Sequence, residues 1–269
     1  MKVGIFINST KTEATKKANV FTSMLLENNI GYKIVHLKED CKDVDVIAVF
    51  GGDGTILSVV DFAMTYNIPI LAVNTGKVGF LSSLEADELD KSIDLLKDEN
   101  SFEKRSVMKL VVNGIKYYAL NEVVVERRID GTSKSEVASL NLELNGKFVD
   151  KYIADGIILS TPTGSTAYSL SAGGSILTPD INAFLATPIC SHSLHIKPLV
   201  YNDSMVAKVS VNEGSTKCAI YVDGKFISQL KVGESIEISK SKHFVKFYKT
   251  ESNFFERLLV KLNSWGYTR

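Results

Sequence analysis

The chain has 269 residues, 45% of them hydrophobic and 23% charged, a balance that suits one large globular domain or two modest ones. Basic and acidic side chains number 31 each, which argues against broad electrostatic binding to nucleic acid or to anionic lipid. Cys41, Cys190 and Cys218 form no CxxC pair, no apolar run nears the roughly 20 residues of a membrane helix, and the run over 3–7 is too short for a signal peptide, so a cytoplasmic chain with free thiols is expected.

The first hundred residues alternate between strand and helix patterns. Residues 3–8 form a short apolar run, as a buried parallel strand would. Residues 12–28 predict a helix, with Ala14, Ala18, Phe21, Met24 and Leu25 at helical spacing and Gly31 closing it. Strands follow over 32–36 and 45–50, a helix over 55–66, a strand over 69–73 and a polar-faced helix over 86–97. This rhythm predicts an α/β, Rossmann-like N-terminal domain with a doubly wound parallel sheet. From about Phe102 the pattern becomes β-type, with segments at 109–113, 116–127, 140–144, 157–160, 205–212, 217–222, 236–239 and 244–248. Asn145-Gly146 and Asp223-Gly224 are two-residue hairpin signals. An all-β, sandwich-like C-terminal domain follows. Residues 253–263 return to a helical pattern, with Phe254, Phe255, Leu258, Leu259 and Leu262 as its apolar face. The expected division is 1–101 with 250–269, and 102–249, the C-terminal helix returning to the first domain.

The strand at 45–50 runs directly into Gly51-Gly52-Asp53-Gly54-Thr55 and then a helix. Ligands of open α/β sheets bind beyond the carboxyl ends of strands, and amides at a helix start attract phosphate. Glycines let backbone approach such a ligand. An acidic residue there repels a phosphate, so Asp53 makes sense as a group that orients a hydroxyl, accepts its proton or helps hold a metal. The plain alternative is a helix cap. The segment is neither a Walker A loop nor GxGxxG.

GGDG followed by Thr, after an apolar strand, resembles the superfamily of NAD kinases, diacylglycerol- and sphingosine-type lipid kinases and 6-phosphofructokinases, all of which phosphorylate a hydroxyl. Three further segments point within it to the NAD kinase family. Asn74-Thr75-Gly76-Lys77-Val78-Gly79-Phe80-Leu81 looks like that family's NxGxxGFL segment. Asn121-Glu122, a polar pair heading an apolar strand, suits a ribose diol or an adenine edge and is similar to the family's Asn-Glu motif. The most specific is the run from Asp155 to Gly174, including Thr163, Thr166, Ala167, Tyr168 and Ser171, where a strand enters a loop dense in hydroxyls and glycine. Thr187-Pro188-Ile189 looks like a further family segment, and the resemblance covers essentially the whole chain.

The resemblance implies an enzyme that takes NAD and ATP, with Mg2+, to NADP and ADP, some members using polyphosphate, and a homodimer or homotetramer. It implies Asp53 as base for the ribose 2′-hydroxyl. Gly52, Gly54 and Thr55 would shape the phosphate loop, Asn121 and Glu122 would bind the adenosine portion, and Phe80, Asp155, Thr163, Thr166, Ala167, Tyr168 and Ser171 would line the nucleotide site. No metal ligand among the side chains is assigned, and neither nucleic acid nor membrane is an expected partner. Asp223-Gly224-Lys225 stands where many members carry Asp-Gly-Gln. Ser58 stands where many carry Arg or Lys, so Lys77 and Arg127 become candidates for the phosphate-binding charge. Lys261-Leu262-Asn263-Ser264-Trp265-Gly266 departs from the usual ending and reads as structural. A superfamily lipid kinase and a catalytically silent dinucleotide-binding regulator are the alternatives. His192 and His195 lack companion ligands for a metal.

Overall fold

Buried strands need both faces covered, and the apolar runs of the first hundred residues are covered by helices from both sides of their own sequence. The computed structural model describes residues 1–76, 79–98, 102–128, 137–249 and 254–266, which divide into one unit of Met1–Arg105 with Phe244–Arg269 and a second of Ser106–His243.

In the first unit, β1 (Lys2–Ile7), β2 (Gly31–Ile34), β3 (Val46–Gly51) and β4 (Ile70–Asn74) run parallel in the order β2-β1-β3-β4, with β5 (Leu84–Glu85) beside β4. All six residues of β3 are buried. Helix α1 (Thr12–Glu27) turns Ala14, Ala18, Phe21 and Leu25 onto this sheet, and the Phe21 ring lies 5.4 Å from that of Phe50. Helix α2 (Asp53–Tyr66) buries Ile56, Val59, Val60, Ala63 and Met64. It begins at Asp53, two residues before the expected start, because Gly52 takes the cap position. The expected helix over 86–97 is instead a 3-10 turn, Ala86–Lys91, then α3 (Ser92–Lys97), with Glu88 outside helical geometry.

The second unit has a six-stranded antiparallel sheet in the order β13-β12-β11-β8-β15-β16: β8 is Glu122–Arg127, β11 Gly156–Ser160, β12 Ala183–Ile189, β13 Leu199–Asn202, β15 Cys218–Val222 and β16 Lys225–Leu230. A second layer comes from β7 (Ile115–Ala119), β9 (Ala138–Leu144), β10 (Lys147–Ala154), β14 (Ala207–Val211) and the parts of β6 (Phe102–Val112) and β17 (Ser235–Tyr248) that lie within Ser106–His243. Alternation sends Val123, Val125, Ile157, Leu159 and Ile220 inward to meet Leu140, Leu142, Tyr152, Val209 and Ile238, so one core lies between the layers, as in a sandwich. Val124 and Ile158 form a small cluster on the opposite face with Ile189. Asn145 and Gly146, at φ 50 and 73°, and Asp223 and Gly224, at φ 45 and 76°, make the two tight hairpins. A short 3-10 turn (Gly164–Thr166) and α4 (Tyr168–Ser171) interrupt the β pattern.

Helix α5 (Phe254–Gly266) belongs to the first unit. Its seated face differs from the apolar one expected: Phe255, Leu259 and Leu262 are exposed, while Phe254, Arg257 and Lys261 face the protein. Directional bonds from two cations, Arg257 and Lys261, seat a face other than the one that apolar content alone would turn inward.

Phe21→Ala should lower the unfolding free energy by about 3–5 kcal/mol, the range for a buried aromatic deletion. Phe255→Ser on exposed α5 should stay within about 0.5 kcal/mol of the parent. Urea denaturation of both reads the contrast, and equal losses would contradict the observed seating of α5.

Candidate functional site

The strand order β2-β1-β3-β4 reverses between β1 and β3, so the connections leave the carboxyl ends of these paired strands in opposite directions and a crevice opens there. A cavity of about 440 Å³ lies there, lined by Phe6, Ile7, Asn8, Ser9 and Lys11 from the β1 end and Gly52, Gly54, Thr55 and Ser58 from the β3 end. Asn8 ties the two sides, donating from Nδ2 to Thr55 Oγ1 at 3.1 Å. No side chain caps α2, and of its leading amides those of Thr55 and Ile56 donate to the Gly52 carbonyl at 2.8 and 3.2 Å. A methyl built on Gly76 would come 3.5 Å from the Lys11 ammonium, and one on Gly52 3.9 Å, ordinary contact distances that place this cation over the loop. Ser58 lines the cavity without charge, its hydroxyl donating to the Thr55 carbonyl at 2.6 Å.

Asp53 does not cap its helix. Its carboxylate reaches the segment after β4, where the amides of Phe80 and Leu81 donate to Oδ2 and Oδ1 at 3.2 and 3.3 Å. The Lys261 ammonium stands 3.5 Å from Oδ2 and 4.3 Å above the Phe80 ring. A methyl on Gly79 would lie 2.3 Å from Oδ1, so only glycine lets the segment come this close. The Asp53 side chain keeps 30% of its exposure, enough for a ligand to approach.

In the second unit the expected strand over 116–127 breaks at Leu120-Asn121. The reason is Asp223, whose carboxylate accepts the amides of Leu120, Asn121 and Glu122 at 2.9, 2.8 and 3.1 Å and takes them out of a continuous ladder. Asn121 and Glu122 are thereby fixed beside the loop that follows β11. That loop fits against them closely: a methyl on Gly164 would lie 2.0 Å from the Asn121 carbonyl, whose oxygen accepts the Thr161 amide at 2.9 Å. The hydroxyls expected to meet a ligand mostly hold the loop itself. Thr161 donates to the Leu120 carbonyl at 2.5 Å, Ser165 to that of Pro162 at 2.6 Å and Thr166 to that of Thr163 at 3.2 Å. Ser169 bonds Thr187 at 2.8 Å. Among the described residues, Thr163 Oγ1 and Glu122 Oε2 are buried without a partner. Tyr168, Ser171 and Ala167 stay at least partly exposed. Burial first, and then the Asp223 carboxylate, push Glu122 up to about 8, while the Tyr168 amide bonded to it acts the other way.

Gly52, Asp53, Gly54, Thr55 and Phe80 thus assemble in the first unit, and Asn121, Glu122, Asp155, Thr163, Thr166, Ala167, Tyr168 and Ser171 in the second. Arg127 pairs with Asp155, Nε to Oδ1 at 3.0 Å, and Lys77 lies outside the described residues. Three residues went unrecognised in the sequence. Lys11 carried only the signal of a basic residue before a helix, Asp223 read as a turn residue, and Lys261 sat in the ending taken to be structural, although it meets Asp53.

A strand-end glycine loop with a clamped carboxylate, joined in one chain to a sandwich bearing a buried Asn-Glu pair, defines a two-part nucleotide-handling protein. Residues 35–100 match the ATP-NAD kinase N-terminal domain and residues 120–250 the ATP-NAD kinase C-terminal domain. The chain is 36% identical to the NAD kinase of Caldicellulosiruptor bescii over 97% of its length and 99% of that relative. It is 35% identical to that of Sulfurimonas denitrificans over 98% and 97%. Its fold is similar to yeast NADH kinase complexed with NADH, at TM-score 0.85 and 24% identity over 100% of this chain and 88% of that one. It is similar also to an Archaeoglobus fulgidus NAD kinase in complex with ATP, at TM-score 0.82 and 24% identity over 98% and 99%. The chain belongs to the NAD kinase family.

A carboxyl raised from 4.5 to about 8 in the fold contributes stability fully below 4.5 and loses it as pH rises through 8. Glu122→Gln removes that ionisation. Its melting temperature should therefore gain on the parent's between about pH 5 and about pH 9. A constant difference across that span would show that Glu122 ionises in the folded chain as it does in the unfolded one.

Proposed function

We propose that the chain transfers the γ-phosphoryl group of ATP to the 2′-hydroxyl of the adenosine ribose of NAD, giving NADP and ADP. The observation that carries this reading is Asp53, a partly exposed carboxylate held by the Phe80 and Leu81 amides next to the glycine-loop cavity. A carboxylate so held keeps one direction open for a hydroxyl. It orients that hydroxyl and takes its proton late, as suits a loose phosphoryl-transfer transition state. The N-terminus of α2 and the Lys11 ammonium take the donor's phosphates, Lys11 supplying the charge that Ser58 does not. Asn121 and Glu122 grip the adenosine half, with the unpartnered Thr163 hydroxyl beside them, and Tyr168 offers a ring face to a base. The first unit accordingly serves the donor and the chemistry, and the second the dinucleotide.

The family resemblance extends the proposal to Mg2+ with ATP, to a cytoplasmic setting and to a homodimer or homotetramer. Among the described residues no cluster of three or more His, Cys, Asp or Glu could cage a metal, and Asp53 is the carboxylate beside the cavity. This donor set fits an ion that arrives on the phosphates, where it neutralises their charge, with Asp53 within its reach. No helix among the described residues is long and apolar enough to cross a membrane.

Asp53→Asn should lower turnover by about 10²-fold or more while NAD still binds. A coupled assay with ATP and Mg2+, offering NAD, NADH or diacylglycerol in turn, tests the acceptor. Product from the lipid alone, or near-normal turnover in the variant, would refute the reading.

A further inference from the structure

Helix α5 presents Phe254, Arg257 and Lys261 on one face, three and then four residues apart. All three meet the short segment that clamps Asp53. The Phe254 ring lies 6.3 Å from the Phe80 ring, and Arg257 donates to the Ser82 carbonyl. Lys261 reaches furthest, over the Phe80 ring at 4.3 Å and to Asp53 Oδ2 at 3.5 Å. Phe80 therefore serves both charges: its amide donates to Asp53 at 3.2 Å and its ring supports the ammonium beside it.

We infer that Lys261 is a positioning residue for phosphoryl transfer, holding the Asp53 carboxylate and offsetting its charge; this rests on the kinase reading. A carboxylate has about four acceptor directions. Two amides and one ammonium occupy three of those of Asp53, which leaves one for the acceptor hydroxyl. Without a counter-charge, Asp53 beside the glycine loop would repel the donor's polyphosphate. With Lys261 in place, both can occupy the crevice. In the transfer itself the acceptor's O–H bond breaks toward Asp53, a new O–P bond forms, and the bond from the γ-phosphorus to the departing diphosphate breaks. Protonation of Asp53 then leaves the ammonium without its counter-charge, beside the newly placed phosphoryl oxygens.

Steady-state kinetics of Lys261→Met and Lys261→Arg, alone and in the Asp53→Asn background, test this. Lys261→Met should lower kcat by about 10–100-fold with both KM values within about threefold, and Lys261→Arg should recover most of the loss. In the Asp53→Asn background the same change should cost less than about twofold more, because the group it acts through is already gone. Lys261→Gln carries the same comparisons if Lys261→Met does not fold. An unchanged kcat in the single variant, or an equal loss in both backgrounds as a general loosening of α5 would give, overturns the inference. A parent chain that phosphorylates no dinucleotide overturns the kinase reading itself, and this inference with it.

Discussion

A carboxylate in the first turn of a helix ordinarily bonds the amides of that same turn. Asp53 instead reaches across to the amides of Phe80 and Leu81. Everything else in the first unit's site follows from that choice. No side chain caps α2, Gly52 takes the cap position, and residue 79 must be glycine for the two segments to approach. The reversal of strand order between β1 and β3 provides the crevice, and the clamp holds the Asp53 carboxylate toward the segment after β4.

The second unit uses the same device for another purpose. Asp223 sits on a hairpin and captures three consecutive amides about a hundred residues earlier, which ends one strand and starts the next. Asn121 and Glu122 lie at that break. In both units a carboxylate spends its acceptors on remote backbone, and a reactive or recognising group is left in a fixed place. The loop after β11 is likewise stiffened by its own hydroxyls, so its shape precedes any ligand.

Much of this was legible in the sequence because the signals are local. The alternation of β1 to β4 with α1 and α2, the hairpins at Asn145-Gly146 and Asp223-Gly224, and the GGDGT loop each depend on neighbours a few residues apart. Strand β12 carries no alternation to read, all of its residues being buried, and Lys147, Asp150 and Lys151 blur the pattern of β10. Strand β17 read as two pieces because Lys240, Ser241, Lys242 and His243 interrupt its apolar run. The contacts of Lys261 with Asp53 and of Asp223 with Asn121 span 208 and 102 residues, distances at which one sequence carries no periodicity to read.

The seating of α5 has a consequence for the solution conditions the protein tolerates. The sandwich core is apolar, and ordinary salt leaves such burial largely intact. The Lys261–Asp53 contact is ionic and 20–30% exposed, so mobile ions can screen it. Ionic strength can therefore reach the end of α5 and its hold on the carboxylate without reaching the fold, which separates the salt tolerance of the working site from that of the folded chain.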